Sequence, residues 1–285
     1  MDMDLLGSRL FIAALGNGSV EVIDLKKGMH IRSISGLQEP QGIVYLSEFK
    51  QLVVASAGDG TVKIFDSSSF KLSKSIDFSS DADNLRYDAI GHHIYVGYGD
   101  ALGVIDARNS KRLGDLKLAG HPESFRLETK GHQIFVNVPA ANQVAVFDSE
   151  KGTLVTSWIL SGVRENFPMS LDETNHRLFL GLRNPARMLI LNTQSGKTVA
   201  TLSIARDADD IFYDAIRKRI YVSCGEGYVN IFEQRSNDEY VQINKIPTAT
   251  GARTSLFVPE LNRLYVAVPH YGSQQAEVRV YQVLP

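Results

Sequence analysis

A single cysteine in 285 residues rules out any disulfide within the chain. Cys224 follows the apolar run Ile220, Tyr221 and Val222. It reads as a small buried hydrophobe rather than a reactive thiol, and it leaves the redox compartment open. An excess of charge is missing too, since 30 Lys and Arg stand against 32 Asp and Glu for a formal −2. No global field draws in nucleic acid or an anionic membrane, and neither is expected as a partner. No run approaches the ~18 apolar residues of a membrane helix. The opening Met1-Asp2-Met3-Asp4 has neither a basic start nor an apolar stretch, so no export signal and no membrane span are read here. The familiar catalytic signatures are absent: HExxH, GxSxG, a Walker loop and CxxC. Gly97 to Gly103 (GYGDALG) reads as a hairpin turn rather than a phosphate cradle, because no helix follows it. His92 and His93 adjoin a strand start without a partner at metal spacing, and read as solvated loop residues.

What is present is an ordinary globular balance, with 44% hydrophobic and 22% charged residues, arranged in one internal repeat. Seven apolar runs begin at Leu10, Leu52, Ile94, Ile134, Leu178, Ile220 and Leu264, in steps of 42, 42, 40, 44, 42 and 44 residues. After a turn bearing Gly or Asn, each is followed by a second run ending in an acid or amide: Asp24, Asp66, Asp106, Asp148, Asn192, Glu233 and Gln282. The turns Gly16 to Ser19 and Gly58 to Thr61 are hairpin signals. A short side chain such as Asp24 or Asp66 can accept hydrogen bonds from backbone N–H groups of the next turn, which predicts a structural role for these acids.

A third strand follows in six units, as at Met29 to Ile34, and a fourth precedes each apolar run, as at Gln41 to Leu46. Four short strands at one fixed period, with no helical period anywhere, predict an all-β, seven-bladed propeller of four-stranded antiparallel blades. A lone blade is apolar on both faces, and stacking is what covers them. The chain reads as one propeller domain, residues 1–285, with blades at about 1–36, 37–78, 79–119, 120–161, 162–204, 205–247 and 248–285. The seventh unit ends after its third strand and lacks an outer one. The expectation is that the natural polypeptide begins earlier and supplies it; the alternative is a short blade with an exposed edge.

The runs Arg263 to Ala267 (RLYVA), Arg219 to Ser223 (RIYVS) and His93 to Gly97 (HIYVG), paired with VEVID, VKIFD and GVID, carry a resemblance. They resemble the YVTN-repeat propellers, the YncE-like family of bacterial, mostly exported proteins, over essentially the whole chain. The resemblance implies a periplasmic or extracellular location. It leaves activity open, since relatives with known roles include lactonases with a bound divalent cation, a lyase acting on a cyclic peptide antibiotic, and heavy subunits of periplasmic dehydrogenases. Trp158 is the sole Trp and no Trp-Asp pair occurs, which speaks against a signalling scaffold of the eukaryotic WD-repeat type.

A site is sought where loops enter the inner strands, at one mouth of the propeller channel. Eleven residues before the apolar runs stand Gln41, Asp83, Glu123, Phe167, Asp209 and Arg253; two residues earlier stand Glu39, Asp81, His121, Glu165, Asp207 and Gly251. Asn84, Ser124, Asp210 and Thr254 follow the first set by one. Carboxylates converging from different blades repel unless a cation, a shared proton or Arg253 relieves them. Gln41, Asp83, Asn84, Glu123, Asp209, Asp210 and Arg253 are therefore candidate ligand-binding residues. Asp83, Glu123 and Asp209 are the candidate shell for a hard divalent cation, Ca²⁺ or Mg²⁺, with Asn84, Asp210 and His121 as alternates. No other cofactor is expected. Acids and Asn are also common turn formers, so a merely wet, polar mouth is the plain alternative. Arg86, Arg126 and Arg164 read as ion-pair partners of acids between blades, or as anchors for an anionic ligand. The expected function is a non-catalytic binding or scaffold propeller, a monomer presenting a polar, acidic mouth to a protein or small ligand. The alternative is a metal-dependent, lactonase-like hydrolase or lyase with His121 as the candidate catalytic base.

Overall fold

The structure is a computed structural model that describes residues 1–285. Numbered in chain order, the first blade is β1 (Asp2–Asp4), β2 (Arg9–Ala14), β3 (Ser19–Asp24) and β4 (Met29–Ser35). The second is β5 (Pro40–Leu46), β6 (Gln51–Ser56), β7 (Thr61–Asp66) and β8 (Leu72–Asp77). The third is β9 (Ala82–Asp88), β10 (His93–Tyr98), β11 (Ala101–Asp106) and β12 (Lys111–Lys117). The fourth is β13 (Phe125–Leu127), β14 (Gln133–Val138), β15 (Gln143–Asp148) and β16 (Thr153–Ile159). The fifth is β17 (Arg164–Asp172), β18 (Arg177–Asn184), β19 (Ala186–Asn192) and β20 (Thr198–Ser203). The sixth is β21 (Ala208–Asp214), β22 (Arg219–Cys224), β23 (Tyr228–Gln234) and β24 (Tyr240–Pro247). The seventh has only β25 (Ser255–Val258), β26 (Arg263–Val268) and β27 (Glu277–Gln282). Six sheets of four strands and one of three make a seven-bladed all-β propeller, with the missing strand where the repeat placed it.

Each blade forms because its second strand is apolar at successive positions and buried on both faces. Leu52, Val53, Val54 and Ala55 of β6 are all fully buried. Burying one such side chain contributes ~1.5–3 kcal/mol, and a lone sheet has no means of covering both sides.

By its contacts the chain divides into two compact units, residues 1–129 with 148–154 and residues 130–147 with 155–285. In the first, Phe11 and Val22 of one blade pack against Ile43, Leu52 and Val54 of the next. Val53 and Ile64 then meet Leu85, Ile94 and Val96 on the other side of that sheet. In the second unit Phe179 and Ile190 pack on Ile211, Ile220 and Val222, and Tyr221 and Val229 pack on Phe257, Leu264 and Val266.

The acids ending the third strands do what their position implies. Asp24 accepts backbone N–H bonds from Lys26 and Lys27 at 2.9 and 3.0 Å, and Asp148 accepts from Glu150 and Lys151 at 3.1 and 2.9 Å. Asp66, Asp106 and Asn192 repeat the turn. A second acid, at the end of the inner strand, repeats it one hairpin earlier: Asp4 accepts from Gly7, Asp88 from Ile90 and Asp214 from Ile216. Hydrogen bonds to the ionised form hold Asp24 and Asp106 below the usual carboxylate range, backbone N–H groups contributing most.

Candidate functional site

The inner strands are interrupted at one recurring place, and that interruption carries the candidate residues. In β5, Pro40 faces Ser56 and Ile43 faces Val54, so Gln41 and Gly42 together oppose Ala55. In β9 the same shift leaves Asp83 and Asn84 opposite Gly97, and in β17 it leaves Phe167 and Pro168 opposite Gly181. In β21 Asp209 is the extra residue between Ala208 and Asp210. A β-bulge of this kind lifts side chains off the ladder and re-aims them. The close approach behind the bulge needs glycine, because a Cβ at Gly42 would lie 2.0 Å from the Asp83 carbonyl oxygen. Glu39, Glu165, Asp207 and Gly251, two residues before the bulge position, all have positive φ, so the entry turn itself is shared.

Within the first unit, Asp83 and Glu123 come together with His121. One ligand atom from each lies within 4.8 Å of the others. His121 Nε2 stands 4.0 Å from both Asp81 Oδ2 and Asp83 Oδ2. The other ring nitrogen is fixed, Nδ1 donating to the Gly99 carbonyl at 3.2 Å, while the Gly99 N–H donates to the Asp81 carbonyl at 3.2 Å. Asp83 is the inner acid, its side chain 15% exposed against 51% for Asp81 at the rim. The Asp83 carboxylate raises the His121 pKa, and Asp81 and Glu123 add to it against the opposing effect of burial. Three carboxylates thus lie around the one imidazole.

The second unit assembles a different group. Arg253 Nη1 contacts both oxygens of Asp207 at 2.8 Å, and its Nε lies 3.6 Å from Asp209 Oδ2. Arg183 donates to Asp209 Oδ1 at 2.6 Å and to the Ala208 carbonyl at 3.1 Å, with its Nε 3.2 Å from Asp207 Oδ1. Its guanidinium stacks 4.0 Å from the centroid of the Phe167 ring. Two Asp against two Arg sum to zero. Arg253, one of three reliefs open to the converging acids, pairs here with Asp207 and Asp209, and the carboxylate named as third metal ligand, Asp209, is held by Arg183 and Arg253. The three-residue group that could hold an ion contains His121 in its place.

The remaining candidates have local roles. Asp210 Oδ2 accepts the backbone N–H of Ser255 at 2.7 Å, tying β21 to the entry of β25. Gln41 stands half-buried in its bulge, and Asn84 packs near Gly97 and Pro122. Arg86 reaches the next inner strand through an aromatic ring and a hydroxyl, lying 5.6 Å from the Phe125 centroid and 3.4 Å from Ser124 Oγ. Arg126 donates to the Phe125 carbonyl, and Arg164 is exposed at the start of β17. His92 is not a bare loop residue: its Nδ1 lies 3.1 Å from the Tyr87 hydroxyl and 3.3 Å from Glu48, with Phe49 edge-on to the ring. His93 belongs to β10 and packs edge-on to Tyr95. Cys224 is buried, and burial pushes its thiol pKa up to about 12.

No helix is long and apolar enough to cross a membrane. No family model matches the chain. The uncharacterized protein YncE of Salmonella typhi is 21% identical over 197 residues, which is 67% of this chain and 55% of that protein. The chain thus spans about half the length of the curated relative it matches. Among solved structures, a chain of the Kuenenia stuttgartiensis hydrazine synthase superposes with a TM-score of 0.86 at 17% identity, covering 99% of this chain and 94% of that one. A chain of the mitotic checkpoint complex gives 0.83 at 15% identity, covering 100% and 86%. At these identities the likeness is one of fold. Seven blades make this chain a β-propeller, and over two thirds of its length its sequence is similar to that of YncE.

Proposed function

We propose that the chain is a non-catalytic binding propeller that offers the acidic entrance around His121 to a cationic group on a protein or small ligand. The observation that carries this is the contrast between the two entrances. Asp207 and Asp209 are neutralised by Arg183 and Arg253, whereas Asp81, Asp83 and Glu123 gather around the His121 imidazole. The groups that chemistry would use argue in the same direction. His121, its pKa raised by Asp83, holds its proton more firmly than an ordinary imidazole and is less often free to accept one, and the Cys224 thiol is buried and far from ionising near neutrality. Equilibrium dialysis against a labelled Lys-rich peptide and against a small diamine tests the reading. Retention is expected, with loss on Asp83→Asn and Glu123→Gln; equal retention by the variants overturns it.

A second reading has its own observation. With Nδ1 anchored on the Gly99 carbonyl, Nε2 is the nitrogen turned to the carboxylates, and His121 groups with Asp83 and Glu123 as a metal-binding imidazole would. Those residues would hold a divalent cation able to polarise a carbonyl for a lactonase-like hydrolase or lyase. A nitrogen in the shell favours Mn²⁺ or Zn²⁺ over the Ca²⁺ or Mg²⁺ expected from oxygen ligands alone. Stoichiometric metal by elemental analysis, with metal-dependent opening of a model lactone, would move the assignment to an enzyme. The YncE resemblance further supports a periplasmic or extracellular location, which fractionation of the producing cell tests.

A further inference from the structure

Within the first unit, Glu48, Tyr87 and His92 form a second cluster of ligand-type atoms, at the opposite end of β9 from Asp83. Four steps along the strand, ~13 Å, separate Asp83 from Tyr87. The Tyr87 hydroxyl donates to Glu48 Oε1, and His92 Nδ1 lies 3.1 Å from that hydroxyl and 3.3 Å from the same carboxylate oxygen. A phenol, an imidazole and a carboxylate therefore meet as a closed triangle rather than a chain. Hydrogen bonds alone serve a triangle poorly. The phenol brings one proton and Nδ1 at most one, so two protons are shared among three contacts. A cation among the three atoms needs neither, since each turns a lone pair to it. With the ~2.0–2.2 Å bonds of a tetrahedral zinc site, ligand atoms stand ~3.3–3.6 Å apart, close to both separations from Nδ1.

The fold does not require this group. His132 and His176 hold the position of His92 in the fourth and fifth blades, but Leu127 and Leu171 replace the tyrosine there, and Ile90 and Lys130 replace the glutamate of the preceding turn. Tyr45 and Tyr213 hold the position of Tyr87 in the second and sixth blades, with Lys50 and Lys218 where the histidine would be. The turn is built equally well without the three, since Lys50, His176 and Lys218 share the positive φ of His92. Only at the third blade do all three ligand types coincide. The surroundings fix them and leave a way in. Tyr87 and Phe49 pack against the core shared by the second and third blades, and Phe49 stands edge-on to the imidazole. The side chains of His92 and Glu48 are 32% and 42% exposed, so water reaches a fourth position.

We propose that Glu48, Tyr87 and His92 bind a transition-metal ion that favours imidazole, of the Zn²⁺ class, with water as the fourth ligand. Binding releases the phenol proton to solvent, and the ion ties the turn of the second blade to the third. The site is distinct from the His121 entrance and does not depend on it. The test uses the full chain carrying His121→Gln, which removes the entrance imidazole, with Zn²⁺ as the probe. Equilibrium dialysis is expected to show one equivalent bound, and the ultraviolet difference band of a tyrosinate to saturate at the same point. Zn²⁺ is expected to raise the Tm of this protein. Adding Tyr87→Phe, His92→Gln or Glu48→Gln is expected to weaken binding by about tenfold or more, and Tyr87→Phe to abolish the tyrosinate band. Tyr87→Phe keeps the ring and its packing, so the variant is expected to fold, and circular dichroism checks that it does. No retained Zn²⁺ overturns the proposal. So does binding without a tyrosinate band or binding indifferent to Tyr87→Phe, either of which would mean an adventitious ion only, held at another histidine. A Tm lowered by Tyr87→Phe but shifted by Zn²⁺ in neither protein also overturns it, leaving the three residues as a hydrogen-bonded tie.

Discussion

The Asp210 carboxylate accepts the backbone N–H of Ser255 at 2.7 Å, so the inner strand of the sixth blade holds the entry of the seventh. An acid in the middle of the candidate set is thereby committed to structure. Asp210→Ala leaves that half-buried N–H without its acceptor and is expected to cost ~1–3 kcal/mol of stability. Denaturant unfolding measures the loss, and binding of the Lys-rich peptide by the folded fraction is expected to be unchanged.

Gly42 supplies a second separation of scaffold from ligand. Its missing Cβ makes room for the Asp83 carbonyl, and Gly42→Ala forces the two inner strands apart at the bulge that presents Asp83. A drop in Tm together with weaker cation binding is expected. Gly114→Ala is the control, since nothing lies within 4 Å of a Cβ there, and it is expected to leave both unchanged.

The repeat was legible because its signal is one-dimensional. The pairs Leu52-Val53 and Ile220-Tyr221 recur at one spacing, and Asp24 and Asp66 close turns made by their own next residues. The candidate positions were legible for the same reason, as a fixed count back from each apolar run, whereas the bulge that holds Gln41, Asp83, Phe167 and Asp209 emerges only from strand register. The neutralisation of Asp209 was not, because Arg183 comes from the far end of β18 in the preceding blade and only folding brings it over Phe167. His92 was misread for a related cause: its partner Glu48 lies forty-four residues away, in the turn of another blade.

Cys224 tests the core. The buried, undissociated thiol is expected to resist a thiol reagent in the native protein and to react fully after denaturation. Labelling at the native rate of an exposed thiol would contradict the packing around Val222 and Asn230.

The pH dependence follows from His121. Its folded pKa is raised, so its contribution to stability is fully present below the unfolded value near 6.5 and is lost as pH rises through the folded value. His121→Gln is expected to flatten that part of the stability profile. Cation binding has the opposite sign, because a metal at Nε2 competes with the proton, and affinity for Mn²⁺ or Zn²⁺ is expected to climb over the same interval.

The most direct measurement is the titration of the His121 ring by NMR in the wild-type protein and in Asp83→Asn. The acidic entrance requires a pKa above the ordinary histidine value of 6.5 that falls when the Asp83 charge is removed. A wild-type value at or below 6.5, or one that ignores Asp83→Asn, would mean that the carboxylates do not converge on the imidazole, and the binding site assigned here would be lost.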